Sequence, residues 1–252
     1  MSRMKFMNTE IDNLTMQETL QAIDRLIQED KSAYVVTPNV DHIIQLETSK
    51  ELQAVYENAS LILTDGKPLL WIAKWYGTPI KEKISGSDLF PLLCDMAAKK
   101  RYKMFFLGAA EGVAAKAAEN LMNRFKGLQV VGTYSPPFGF EKNQDEMNKI
   151  KSMIKEANPH ILIVGLGCPK QEKFMYHHCK ELGVPISFGL GASFDFEAGN
   201  IKRAPRWMSN HGLEWFFRIT QDPKRMFKRY IVKDTQIFKL AFKYKRGINA
   251  CK

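Results

Sequence analysis

The 252-residue chain holds only four cysteines, Cys94, Cys168, Cys179 and Cys251, and no two of them form a CxxC pair. That scarcity excludes a disulfide-stapled scaffold and a zinc ribbon, and it reads as free thiols in a reducing compartment. No uninterrupted apolar run approaches the roughly 20 residues needed to span a bilayer. The first ten residues have no apolar stretch of the signal-peptide kind. A cytoplasmic protein that does not cross a membrane is therefore expected. GxSxG, HExxH and Walker A motifs are also missing, which removes support for serine hydrolysis, zinc proteolysis and a P-loop. There is no internal repeat and no low-complexity segment.

What is present is ordinary in bulk and uneven in placement. Hydrophobic residues make up 45% and charged residues 25%, which suits a globular chain with a substantial core. The net charge is +10. Residues 202–252 carry fourteen Lys or Arg against Glu214, Asp222 and Asp234, a net of +11, while the first 201 residues carry 23 bases and 24 acids. All of the excess positive charge thus sits on the last fifth of the chain, which marks an interaction segment.

Short apolar runs at 34–36, 61–63, 104–107, 130–131, 161–164 and 186–188 read as buried strands, each followed by Gly, Pro, Asn or Asp. Amphipathic stretches lie between them. Thr15 and Glu18 form a capping box opening a helix to about residue 28, and Ser85 with Asp88 opens another before 89–99. Further helices are expected over 111–125, ending near Gly127, and over 144–157, stopping before Asn158-Pro159. Strand alternating with helix predicts an α/β fold, a doubly wound, mostly parallel Rossmann-like sheet over 1–201. Residues 202–252 read as a basic, aromatic helical appendage. Asp222-Pro223 starts a helix there, with Met226, Phe227, Tyr230, Ile231, Phe238, Ala241 and Phe242 at helical spacing among lysines and arginines. Such a stripe suits either the face of a docked helix or a membrane boundary, and the charge asymmetry favours the membrane. Trp207 and Trp215 are expected in the core.

Open parallel sheets bind ligands beyond the carboxyl ends of their strands. Five strand ends run into polar or glycine-rich loops, through Thr37 and Asn39, through Asp65, through Gly108, through Gly165, Gly167 and Gln171, and through Gly191 and Asp195. The two GxG turns let backbone N–H groups approach a phosphate, or simply make tight turns. Neither completes GxGxxG, because the sixth positions are Lys170 and Phe194. A dinucleotide site is disfavoured and a nucleotide diphosphate stays open. Asp65 at a strand end suits a general base, or else an N-cap for a helix over Lys67–Tyr76. Asp195 and Glu197 form an isolated D-x-E, a weak metal signal. His42 and His211 are lone histidines, and His177 and His178 are neighbours facing different ways.

Several of these segments, taken in order, resemble one family. They are TPNVDH at 37–42, LTDGKP at 63–68, SGSDL at 85–89, GLGCPKQE at 165–172 and GLGASFDFEAG at 189–199, followed by RAPRW at 203–207, GLEWFFR at 212–218 and DPKR at 222–225. Together they resemble the WecG/TagA/CpsF glycosyltransferases, glycosyltransferase family 26, over about residues 5–232. The N-acetylmannosaminyltransferase branch is the nearest in look. The resemblance implies an inverting transferase that moves a sugar from a UDP donor to a polyprenyl-diphosphate-linked GlcNAc, peripherally on the inner face of a bacterial cytoplasmic membrane. It implies UDP-ManNAc as donor, for teichoic acid or other surface polysaccharide, with UDP-ManNAc uronic acid or UDP-glucose as the alternatives. It also implies Asp65 as general base, Thr37 and Asn39 lining the acceptor or sugar pocket, and Gln171 at the donor. Arg218 and Arg225 would reach in from the C-terminal segment.

Direct displacement on an α-linked UDP-sugar needs one base and no enzyme nucleophile. The departing UDP needs positive charge, and with no convincing DxD, arginine is the better source than a metal, so no cofactor is expected. The basic appendage would contact an anionic membrane surface, where each Lys or Arg contributes about 1 kcal/mol. An exposed aromatic segment would drive self-association away from it. Two rivals fit less. A nucleic-acid-binding protein would explain the basic tail and leave five polar strand ends unexplained. An NAD or nucleotide-sugar oxidoreductase would need GxGxxG at the first βα turn, where this chain has Thr37-Pro38-Asn39.

Overall fold

A computed structural model describes residues 3–250, without the side chains of Arg206, Asn210, Arg225 and residues 247–250. The chain opens with an antiparallel hairpin, β1 (Arg3–Phe6) and β2 (Thr9–Asp12), and continues into α1 (Met16–Glu29). Then follow β3 (Ala33–Val36), α2 (Val40–Leu46), α3 (Lys50–Glu57), β4 (Leu61–Ile62), α4 (Lys67–Tyr76) and α5 (Gly86–Lys100). The second half runs through β5 (Lys103–Gly108), α6 (Val113–Arg124), β6 (Gln129–Tyr134), α7 (Gln144–Ala157), β7 (Ile161–Gly165), α8 (Lys170–Leu182), β8 (Ile186–Gly189) and α9 (Gly191–Ala198). The last fifth is helical, with α10 (Arg206–Asn210), α11 (Glu214–Gln221), α12 (Pro223–Phe227), a wider helical turn over Lys228–Lys233, and α13 (Gln236–Ala250).

Six strands pair in parallel in the order β4-β3-β8-β7-β5-β6. All six fall on the apolar runs of the sequence, and five are buried, because a strand covered on both faces has no polar side to show. The exception is β6, at the sheet edge, which has no buried residue and corrects the expectation of a buried strand at 130–131. The alternation is hidden in the packing. Tyr34, Val36, Phe105, Leu107, Leu162 and Val164 face one core, shared with residues of α2, α3, α4, α7 and α8. Ala33, Val35, Met104, Phe106, Ile161, Ile163, Ile186 and Phe188 face the other, shared with α1, α5, α6 and α9. The sheet is therefore doubly wound, as the alternation of elements predicts. Helix starts follow their caps. Thr15 accepts from Glu18 N while Glu18 accepts from Thr15 N, and Ser85 accepts from Asp88 N.

The hairpin was not legible in the pattern. It docks on the sheet edge, where Asp12, salt-bridged to Arg3 at 3.1 Å, accepts a hydrogen bond from Ile62 N at 2.9 Å. An edge amide of β4 is thereby satisfied. The C-terminal helix α13 packs on the body. Ile237 and Ala241 join the first core, Tyr76 donates to Ala241 O at 2.7 Å, and Tyr244 donates to Glu47 at 2.9 Å. Its other face stays open, with Phe238 and Phe242 about 60% exposed. Trp207 and Trp215 are also at the surface, which corrects the expectation that they are core residues. Helical spacing marks a shared face and cannot say whether protein or solvent lies against it. Among the described residues no helix is long and apolar enough to cross a membrane.

Candidate active site

The loops after β3 and β4 are tied together by backbone, since Leu63 N donates to Val36 O and Asp65 N donates to Pro38 O at 2.8 Å. This brings Asn39 and Asp65 to one cavity of about 580 Å³. Gly66, at φ +104°, turns the chain into α4 and occupies its N-cap, so Asp65 stands one residue before the cap position and points elsewhere. The C-terminal segment supplies the opposite wall, including Glu214, Trp215, Arg218, Arg229, Tyr230 and Asp234. A second, more polar cavity of about 690 Å³ adjoins the first, and the two share Lys67, Lys83, Ser209, Glu214 and Arg218. Lys202 and Arg203 line only the second.

The charges at this junction are arranged in pairs. Arg218 donates to Glu214 Oε1 at 2.7 Å and lies over the Phe196 ring at 5.4 Å. Lys83 lies 3.0 Å from Asp88 and 3.8 Å from the other Glu214 oxygen. Asp88, capped by Ser85, also holds Arg203 of the C-terminal segment. The SGSD sequence thus anchors that segment to the sheet. Burial pushes the Asp65 carboxyl up to about 6, and the Glu214 charge raises it further, with Arg218, Lys83 and His42 acting the other way. A half-buried carboxylate of that basicity in a cavity is suited to taking a proton.

The glycine-rich loops after β5, β7 and β8 form a separate close-packed knot. A Cβ on Gly108 would lie 2.4 Å from Gly165 O, and one on Gly165 would lie 2.5 Å from the Phe194 ring. One on Gly191 would lie 2.8 Å from Gln171 Oε1 and 3.4 Å from Gly167 N. These glycines are required by the contact of loop on loop. Gln171 is buried beneath them, donating to Glu172 and accepting from Gly191 N. Asp195, on α9, accepts from Asn200, while Glu197 is held by Arg124, so the two D-x-E carboxylates serve different partners. Thr37 is buried directly after β3. The structure brings Asn39, Asp65 and Arg218 to one cavity and places Gly108, Gly165, Gly167, Gln171, Gly191 and Asp195 outside its lining. The side chain of Arg225 lies outside the described residues.

Sequence reading passed over three contributors. Lys83 and Glu214 gave no local signal, being joined only in space. His42 read as a lone histidine, yet it is buried, with Nδ1 2.9 Å from Asn39 Oδ1 and Nε2 3.3 Å from Glu172 Oε1. Burial works against its charge, but the Cys168 and Glu172 contacts outweigh that and push it up to about 10. His42, Cys168 and Glu172 are the one group of donors close enough to hold a metal ion among the described residues, and a cation there would have to displace this ion pair. The spacing from Asn39 to His42, a capping position and the third residue after it, was the available clue.

A parallel sheet with an acid, an arginine and a cleft beyond its strand ends is the α/β arrangement that binds ligands at the carboxyl edge of the sheet. Over residues 4–250 the chain matches the Glycosyl transferase WecG/TagA/CpsF family, and it belongs to that family and is a sugar transferase. It is 34% identical over 199 residues to an N-acetylglucosaminyldiphosphoundecaprenol N-acetyl-beta-D-mannosaminyltransferase of Bacillus spizizenii, covering 79% of this chain and 75% of that one. A protein of the same name from Staphylococcus aureus is 27% identical over 255 residues, covering 100% of this chain and 96% of its own.

Proposed function

We propose that this chain transfers N-acetylmannosamine from UDP-ManNAc to the 4-hydroxyl of GlcNAc on a polyprenyl diphosphate, giving a β-1,4 linkage, at the inner face of a bacterial cytoplasmic membrane. The relatives' names supply the sugar and the acceptor. The observation that carries the chemistry is the placement of Asp65 and Arg218 in a cavity with one apolar wall.

Asp65 takes the proton of the acceptor hydroxyl as its oxygen attacks the anomeric carbon, and the bond to UDP breaks on the opposite side. Inversion follows from a single displacement, so the enzyme needs no covalent intermediate. Negative charge grows on the departing diphosphate, and Arg218, with Lys67 and Lys83 across the cavity junction, offsets it. Arginine presents a fork of donors matched to phosphate oxygens, and the Phe196 face keeps that fork in place. We assign this charge to side chains rather than to a metal.

The apolar wall suits the lipid side of the acceptor. Trp71, Trp75, Ile231, Phe238 and Phe242 line the cavity and are exposed by 43–62%. Basic residues surround them, including Lys243 and Lys245, which are bonded to Glu47 and to Trp75 O. An aromatic rim beside cations is the composition of a surface that settles into anionic headgroups.

The test is a donor screen on purified protein. A short-chain GlcNAc-diphospholipid is offered with UDP-ManNAc, UDP-ManNAc uronate, UDP-glucose or UDP-GlcNAc, with and without EDTA, and products are read by mass spectrometry. One product, from UDP-ManNAc and insensitive to EDTA, is expected. Transfer from the uronate or glucose donor alone replaces the sugar, an EDTA-sensitive rate replaces arginine by a metal, and no transfer from any donor overturns the reading.

A further inference from the structure

We infer that His42 and Glu172 are positioning residues, a buried ion pair that braces the capped Asn39 amide in the cavity and locks it to the glycine loops around Gln171. The inference rests on the glycosyltransferase reading for its assay and on hydrogen-bond geometry for its argument.

Asn39 Oδ1 accepts from the backbone N–H groups of Asp41 at 3.0 Å and His42 at 3.4 Å. That identifies the oxygen, because an amide nitrogen there would face two donors. His42 Nδ1 lies 2.9 Å from the same oxygen and 3.4 Å from Asn39 N, and the shorter contact, to an acceptor, takes its proton toward the oxygen. His42 Nε2 lies 3.3 Å from Glu172 Oε1, an acceptor, and carries a proton as well. The ring is an imidazolium paired with a carboxylate, both almost fully buried. Glu172 Oε1 also accepts from Gln171 Nε2 at 2.8 Å, and Gln171 Oε1 accepts from Gly191 N at 3.3 Å.

One continuous chain of hydrogen bonds therefore joins the ends of β3, β7 and β8. Its end at Asn39 has a consequence for the substrate. With Oδ1 consumed by three donors, Asn39 offers the cavity only its N–H groups, so it selects an oxygen acceptor on the sugar or diphosphate. If the pair were broken, the two backbone N–H groups would still hold Oδ1, but the amide would lose its side-chain donor and its tie to the glycine loops. Glu172 Oε2 has no partner, so no second bond on that side substitutes for His42. A buried pair of this kind is a weak source of stability and a good source of fixed geometry.

The test is a cycle of kcat/KM values for wild type, Asn39→Ala, His42→Gln and the double variant. If His42 acts through Asn39, each single change lowers kcat/KM by about tenfold or more, and the double variant is within about twofold of Asn39→Ala alone. Penalties that multiply would show that His42 acts independently, and the inference falls. Folding is checked by melting, and if His42→Gln does not fold, His42→Gln with Glu172→Gln replaces it in the cycle as a neutral pair. Glu172→Gln should raise KM for the substrate that Asn39 touches and leave KM for the other within about twofold. Equal effects on both would indicate general loosening and overturn it. Absence of turnover in wild type would count against the proposed function alone.

Discussion

Asp65→Asn should abolish most turnover and at the same time make the protein more stable above pH 7. Burial and the Glu214 charge lift the Asp65 carboxyl from an ordinary 3.8 to about 6. Folding therefore opposes its ionisation. The sign follows from linkage. A carboxyl with a raised folded value is not penalised below about pH 3.8, and the protein loses stability as pH rises through 6 and the buried group must ionise. A shift of about two units corresponds to roughly 3 kcal/mol, and partial access to solvent reduces it to about 2. Asparagine has nearly the same shape and no charge to bury.

In a protein of this size about 2 kcal/mol moves the melting temperature by roughly 4–8 °C. The assay is thermal unfolding of wild type and Asp65→Asn at pH 4 and pH 8. Curves that coincide at pH 4 and separate at pH 8, with the variant higher, are expected. Loss of a general base should slow turnover by about 10²–10⁴-fold. The kcat/KM of wild type should fall on an acid limb centred near pH 6, and Glu214→Gln should move that limb to lower pH. A variant that melts lower at pH 8, or a limb that moves up when Glu214 is neutralised, would refute the account of why Asp65 is basic.

Other perturbations separate the parts of the site. Arg218→Lys keeps the charge but loses the fork and the Phe196 face, so kcat should drop by about tenfold or more with the fold intact by circular dichroism. Phe238→Ser with Phe242→Ser should leave the melting temperature within about 2 °C, since both rings are mostly exposed, while weakening sedimentation with anionic vesicles severalfold. Gly108→Ala should cost about 3 kcal/mol in urea unfolding, because its Cβ would press on a backbone carbonyl that has no rotamer to retreat to. Removal of residues 202–252 should eliminate activity and vesicle binding together, and an active truncated enzyme would show that the core alone completes the site.

The sheet was legible because parallel strands buried on both faces are continuous apolar runs, and five such runs stood in the sequence, with the short Val130-Val131 pair marking the exposed edge strand β6. Residues 144–157 were placed to the residue, since Asn143 caps one end and Asn158 closes the other in a left-handed turn. The hairpin over 3–12 escaped because four-residue strands with mixed side chains, such as Arg3-Met4-Lys5-Phe6, alternate too briefly to register. Asp65 was visible as an acid at a strand end, a position defined by local sequence and topology alone. Lys83, Glu214 and the His42–Glu172 pair were not, because each depends on a neighbour 130 or so positions away that no periodicity announces.

The aromatic appendage shows the same limit from the other side. Its stripe was readable, and its surroundings were not, since the spacing that seats Ile237 and Ala241 in the core also sets Phe238 and Phe242 at the surface. Those four residues lie on one helix whose inner edge is held by Tyr76, Glu47 and the first core. An outward apolar face on a docked helix costs solubility without adding to the fold. It becomes favourable only against another apolar phase, and Phe238 and Phe242 of that face also line the cavity holding Asp65. Membrane contact and access of a lipid-bound hydroxyl to its base would then be one event, made by the same helix.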